Sequence, residues 1–353
     1  MWKLHRYIAT TVLITTAIIF FVVCGLYMIF TYVAEVQNIG QGVYGPLQAM
    51  TYVLLTLPAN IYLILPIVAL LGSLMGLGLL ASHSELIAMR AAGVSIRQIA
   101  QGVFYASVLI CFLAFVVGSY IGPELAQYAM VKKAVEMQGQ AVLITANSTW
   151  LKQDNDFIFI GKIETSGHLY NIRRYHVANG KLTEVDTADE AYYHNQTWQV
   201  SNITAVTFTP LGIVKQTVVK TTWKSLVNPR LLQVLASNSG NLTLTSLWSY
   251  IRYRQLNGLT TAQYELSFWQ TFFQPLSVII LALLAVPFVF GPLRSANAGL
   301  RVIAGVVVGF IFFIINQFFG PFTSVYSFPP LLGAMLPSLI FACILVAMIW
   351  AIS

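Results

Sequence analysis

Six long apolar runs dominate this sequence, near residues 7–34, 52–80, 98–121, 266–290, 299–319 and 330–350. A helix needs roughly 20 apolar residues to cross a bilayer, so each run reads as one membrane span. Composition agrees. Only 9% of the 353 residues are charged and 57% are hydrophobic, against about 25% charged residues in an average soluble protein. The first run is longer than the apolar core of a signal peptide and has no convincing small-residue cleavage site before Glu35, so it reads as a retained helix.

The short loops fix an expected orientation. Outside the long middle region, Lys3, Arg6, Arg90, Arg97, Arg294 and Arg301 all fall on one side of the six spans. The alternate loops, 35–51 and 320–329, contain no Lys or Arg. By the positive-inside rule both termini are then cytoplasmic and the region 122–262 lies outside. That region carries a modest excess of basic over acidic residues, which suits an anionic ligand or membrane surface. Cys24, Cys111 and Cys343 lie within predicted spans, which argues against a disulfide framework or a zinc site. The Asn-x-Ser/Thr triplets at Asn147, Asn195, Asn202 and Asn241 are short enough to arise by chance and carry no weight.

The chain divides into 1–121 with three spans, 122–262 outside the membrane, and 263–353 with three more. The middle part changes period. Segments 156–164, 169–177, 181–193, 197–208 and 213–223 are β-branched, aromatic and partly alternating, so they read as strands. Asn179-Gly180 marks a hairpin because both residues tolerate positive φ, and Pro210-Leu-Gly212 marks another turn. A sandwich or jelly roll follows. Two helical connectors flank it: 123–140, continuing span three, and 244–258, amphipathic and ending at Gly258.

Several chemistries are missing. Gly161-Lys162 and Gly180-Lys181 lack the remaining elements of a phosphate-binding loop, so the chain does not hydrolyse nucleotide by itself. No metalloprotease, serine-hydrolase or paired-carboxylate pattern is present, and no cofactor or metal is called for. The spans are nearly free of ionisable groups, which ion-coupled transporters and pumps require at membrane depth. Asn60, Gln274, Asn316 and Gln317 read as groups that bond across helices or cap proline-broken backbone. Energy for any transport must therefore come from another chain.

Between spans two and three stands SHSELIAMRAAGVS, residues 82–95. Ser82 and Glu85 fit the capping-box spacing and Gly93 supplies a helix end, which predicts a cytoplasmic helix of about ten residues. Its exposed surface is expected to present Leu86, Ile87, Met89 and small alanines beside Glu85 and Arg90. Two readings stand. It is an interfacial loop helix whose charges set topology, or a coupling helix that inserts into a groove on a separate ATPase.

A resemblance adds to this. RYI at 6–8, GQGVYGPL at 40–47, LPIVALLGSLMGLGLLASHSELIAMRAAGVS at 65–95, FQPLSVIILALLAVPFVFGPLRS at 273–295 and GPFTSVYSFPPLLGAMLPS at 320–338 together resemble the LptF/LptG permease family, with GQGVYGPL and FGPLRS leaning to the LptG type. The resemblance implies an α-helical integral membrane protein of the bacterial inner membrane, with six transmembrane helices in a 3+3 order and an inserted periplasmic jelly-roll-like β domain. It also implies partners: an LptB-type ATPase dimer, an LptF-type permease, a single-span LptC-type protein and a periplasmic LptA-type bridge, acting on lipopolysaccharide. Nucleic acid has no part in it.

Carried over residue by residue, the family's coupling helix falls on Ser84 to Gly93, with Ser84, Glu85, Leu86, Met89, Arg90 and Gly93 as its residues and Glu85 as the acid that engages the ATPase. Phe30, Val33 and Phe310 fall on spans that wall the lipid cavity or its gate. The chain departs from the pattern at Thr31 and Ala59, where a relative has lysines suited to lipid A phosphates. Lys132 and Lys133 are the remaining basic candidates on this subunit. Two rivals remain at this stage: a subunit that transmits force without moving lipid, and a membrane-anchored envelope scaffold.

Overall fold

The computed structural model describes residues 2–138, 142–143, 149–164, 168–178, 180–194, 197–209, 212–223, 242–292, 297–325 and 328–352. Asn147, Asn179, Asn195, Pro210, Asn241 and Arg294 lie outside the described residues. The chain separates into two compact units, one of residues 1–37, 53–126 and 262–353 and one of 38–52 and 127–261.

The first unit is helical. It holds α1 (Trp2–Glu35), most of α2 (Pro46–Ser82), α3 (Glu85–Ala91), α4 (Ile96–Val116), a π-helical turn (Val117–Ile121), the start of α5 (Gly122–Gln138), and then α7 (Ala262–Phe290), α8 (Ala298–Val325) and α9 (Pro330–Ile352). Six helices among the described residues are long and apolar enough to cross a membrane. They match the six runs read from the sequence. Their common core includes Ile8 and Val12 of α1, Leu70, Leu74 and Leu77 of α2, Ile99 and Val103 of α4, and Val278 and Leu281 of α7, all at most 1% exposed.

Glycines let these helices approach closely, as small residues do where hydrocarbon gives no hydrophobic drive to association. A Cβ at Gly72 would stand 2.1 Å from Thr16 Oγ1, and Thr15 Oγ1 donates to the Gly72 carbonyl at 2.8 Å. Two of the membrane-depth polar residues behave as expected. Gln274 Nε2 donates to Leu63 O, in the turn before Pro66, and Asn316 Nδ2 donates to Gln274 Oε1 at 3.2 Å. Arg301 differs from its reading as a loop charge. It lies in the first turn of α8, 5% exposed, and its Nη1 donates to Gly78 O at 2.8 Å, because a glycine on α2 leaves room for the guanidinium.

The second unit is built on one antiparallel sheet. Its strands are β1 (Val142–Leu143), β2 (Thr149–Gln153), β3 (Asp156–Glu164), β4 (Leu169–Ala178), β5 (Lys181–His194), β6 (Thr197–Thr209) and β7 (Gly212–Trp223). β3 to β7 pair in sequential order, with β1 and β2 both on the outer side of β3. The five strands read from the sequence are present within a residue or two; β1 and β2 were not anticipated.

The sheet is creased. Gly161, Asn171, Asp189 and Asn202 lie in one row across β3 to β6, where ladder pairing is interrupted. Asn171 and Asn202 both sit at φ +53°, in the left-handed region that asparagine tolerates better than most residues. Across this row the inward-facing parity switches: Ile160, Ile172, Ala188 and Ile203 are buried on one side of it, Ile163, Leu169, Ala191 and Val200 on the other. One apolar face therefore continues through the bend. At its far end the buried carboxylate of Asp186 accepts from Arg174 Nε at 2.8 Å.

α6 (Leu244–Leu256) closes this unit, burying Leu247, Tyr250, Ile251 and Tyr253. Tyr253 Oη donates to Lys152 O at 2.7 Å, and Asn257 Oδ1 accepts from Asp154 N at 3.0 Å. Gly258 follows at φ +64°, the glycine helix end expected from the sequence.

Candidate functional site

The helix between α2 and α4 is built by its two ends. α2 runs on through Ser82, whose hydroxyl donates back to Leu79 O at 2.8 Å, so Ser82 is in no position to cap α3. The expected Ser82–Glu85 capping box is therefore absent. Ser84 is the N-cap instead, at φ +59° and without a side-chain bond to the helix. The real box lies one element later: Ser95 Oγ accepts from Gln98 N, and Gln98 Oε1 accepts from Ser95 N at 2.8 Å.

The C-terminal end matches expectation. Gly93, at φ +85°, gives its N–H to Arg90 O, and Val94 gives its N–H to Met89 O, both at 3.0 Å. This pair of bonds is a Schellman motif, which fixes the helix end and the direction of the next segment. Arg90 Nη1 also donates to Val94 O. α3 has seven residues rather than about ten, because one end is spent on α2 and the other on the Schellman turn.

Leu86 and Met89 were expected on the outer surface. They face inward instead: Leu86 is 3% exposed and joins the membrane core, with Met89 packed beside it. A seven-residue helix cannot hold its place without such an anchor. The outward surface is Ser84, Ile87, Ala88, Arg90 and Ala91, with Ile87 63% exposed. Glu85 is half-buried between the two faces and accepts a hydrogen bond from Tyr7 Oη of α1 at 2.8 Å. Sequence reasoning missed Tyr7 as a site residue, although it stands inside the RYI motif.

The other candidates occupy different settings. Lys133 of α5 has its Nζ 4.5 Å from the centre of the Tyr52 ring and 5.7 Å from that of Tyr44, within cation–π range. The segment before α2 is docked against α5: Val43 N donates to Glu136 O at 2.8 Å, and a Cβ at Gly42 would stand 2.4 Å from Met137 O. Lys132 is half-buried on the same helix. Phe30 and Val33 on α1 are 72% and 62% exposed, and Phe310 on α8 is 59% exposed, each on an outward apolar face of its helix.

A short helix does stand in the loop between the second and third of the six membrane helices, seven residues long, with an anchor in the core and a link to α1 that the sequence did not announce. The sequence profile of the lipopolysaccharide export system permease LptF/LptG matches residues 6–351. The chain belongs to the LptF/LptG family. Among relatives, it is 35% identical over 339 residues to the lipopolysaccharide export system permease protein LptG of Escherichia coli K12, covering 95% of this chain and 94% of the relative. It is 31% identical over 350 residues to the protein of the same name from Haemophilus influenzae, covering 98% and 97%. As an LptF/LptG permease it is a transport subunit, in keeping with its lack of a nucleotide-binding loop.

Proposed function

We propose that this LptG-type chain is the permease subunit that takes lipopolysaccharide out of the bacterial inner membrane and passes it to a periplasmic LptA-type bridge. An LptB-type ATPase dimer supplies the energy, and an LptF-type permease and an LptC-type single-span protein complete the complex. Both termini and α3 face the cytoplasm, and the sheet faces the periplasm.

The observation that carries this reading is the α3 cassette. Burying one CH₂ of a lipid chain is worth about 0.8 kcal/mol, so removing a lipid with several chains from a bilayer needs a motor. The motor's push must enter through a rigid part. α3 is held by Leu86 in the core, by the Schellman turn at Gly93, and by the Tyr7–Glu85 bond to α1. It offers Ile87 and Arg90 outward, an apolar and a basic contact suited to a groove. Lys132 and Lys133 give this subunit's share of positive charge to the lipid's phosphates, with Lys133 braced by two tyrosine rings. Phe30, Val33 and Phe310 are available to apolar chains or to the partner permease.

The test is Glu85→Ala in the assembled transporter. Loss of an interface hot spot costs about 2 kcal/mol or more, so co-purifying ATPase is expected to fall more than tenfold, and lipopolysaccharide delivery to stop. Wild-type ATPase recovery together with wild-type delivery would overturn the coupling role of α3.

A further inference from the structure

Between α1, α2 and α4 lies a cavity of about 450 Å³ whose wall includes Leu13, Phe20, Ile61, Leu65, Leu113 and Ala114. We propose that it binds one acyl chain of a membrane phospholipid. This site goes beyond the transport reading and does not rest on it.

The packing of α1 explains why the cavity exists. On the faces turned to Gly102 and Gly72 the first half of α1 is pressed against its neighbours: a Cβ at Gly102 of α4 would stand 2.8 Å from Ile8 Cβ, and one at Gly72 of α2 would stand 2.1 Å from Thr16 Oγ1. The cavity lies beside Pro58, one of two prolines inside α2, and Val117, the first residue of the π-helical turn that follows α4, two features that depart from regular helix packing. The gap is closed again between α2 and α4, where Tyr62 packs into the space above Gly118: a Cβ there would stand 2.4 Å from the ring.

The lining decides the occupant. Among the described lining residues only Thr16 and Tyr62 carry side-chain hydroxyls, and both are turned to backbone carbonyls, of Val12 at 2.7 Å and of Thr271 at 3.4 Å. A roomy apolar cavity of this kind holds no ordered water. Left empty, it forfeits dispersion contacts along its whole wall. The medium around a membrane span is hydrocarbon, and Leu113, 54% exposed, stands where a chain can enter. Among the described residues no Lys or Arg lines the cavity to meet phosphates, and its volume lies toward the small end of ligand sites, roughly 300–1,000 Å³. One chain of a phospholipid suits it; a lipid with many chains and two phosphates does not.

The experiment uses the protein as isolated from its membrane with its accompanying subunits, placed in nanodiscs that contain a phospholipid carrying a diazirine in its acyl chain. After irradiation, labelled peptides are mapped. Label is expected on buried Ile61 and Ala114 as well as on Phe112, which is 63% exposed and reports ordinary surrounding lipid. Ala17→Leu, a mild filling of the cavity, should lower the Ile61 label and leave Phe112 unchanged; Ala114→Phe should abolish it. Label confined to Phe112 would overturn the proposal. So would displacement of the Ile61 label by unlabelled lipopolysaccharide, which would make the transported lipid the occupant.

Discussion

Tyr7 and Glu85 are 78 positions apart in the chain and 2.8 Å apart in space. The bond is exposed, so its contribution to stability is small and its value lies in orientation. Tyr7→Phe is therefore expected to leave the thermal midpoint of the complex within a few degrees of wild type. It should lower delivery of lipopolysaccharide in the same direction as Glu85→Gln, and the double variant should be no worse than the worse single one. Additive losses in a delivery assay would mean the two residues act separately. Glu85 was legible from the sequence because an isolated acid between apolar spans is conspicuous. Tyr7 was not, since a tyrosine near the start of a membrane helix looks like an interfacial anchor and its partner is set by how α1 and α3 meet.

At the scale of elements, local pattern succeeded where one segment decides its own state. Apolar runs gave six helices, and alternation with Gly180 gave the β4–β5 hairpin. It failed where the same pattern fits two places. Ser-x-x-Glu at 82–85 and Ser-x-x-Gln at 95–98 both have the spacing of a capping box, but only the second precedes a helix start, because α2 had not yet ended at Ser82. The crease in the sheet was illegible for a related reason: two asparagines inside strands look like weak strand residues, and their alignment appears only once β4 to β6 are in register. Replacing Asn171 or Asn202 by Val forces a β-branched residue to φ +53°, at a cost of about 1–2 kcal/mol each. Glycine at either position should be nearly neutral. Hydrogen exchange of β3 to β6 in the full chain checks this; equal protection in the valine and glycine variants would count against a crease held by backbone conformation.

For the whole molecule the prediction concerns orientation. With the three cysteines replaced, a cysteine introduced at exposed His83 should react with an impermeant thiol reagent only from the cytoplasmic side, and one at exposed Asp189 only from the opposite side. Reaction of both from one side would refute the orientation drawn from Lys and Arg placement. That argument, like the count of spans, comes from the sequence alone, because transfer of apolar and charged groups between water and hydrocarbon depends on composition within one segment. The sequence likewise determined the β-rich insertion, the lack of a phosphate-binding loop motif and the resemblance to a permease family. Only the tertiary structure decided that Leu86 faces inward, that Arg301 is buried beneath Gly78, that Lys133 is braced by Tyr44 and Tyr52, and that an apolar cavity opens beside the π-helical turn. Each of these depends on how helices are rotated about their axes and how closely their backbones approach, which periodicity leaves open and close packing between distant segments fixes.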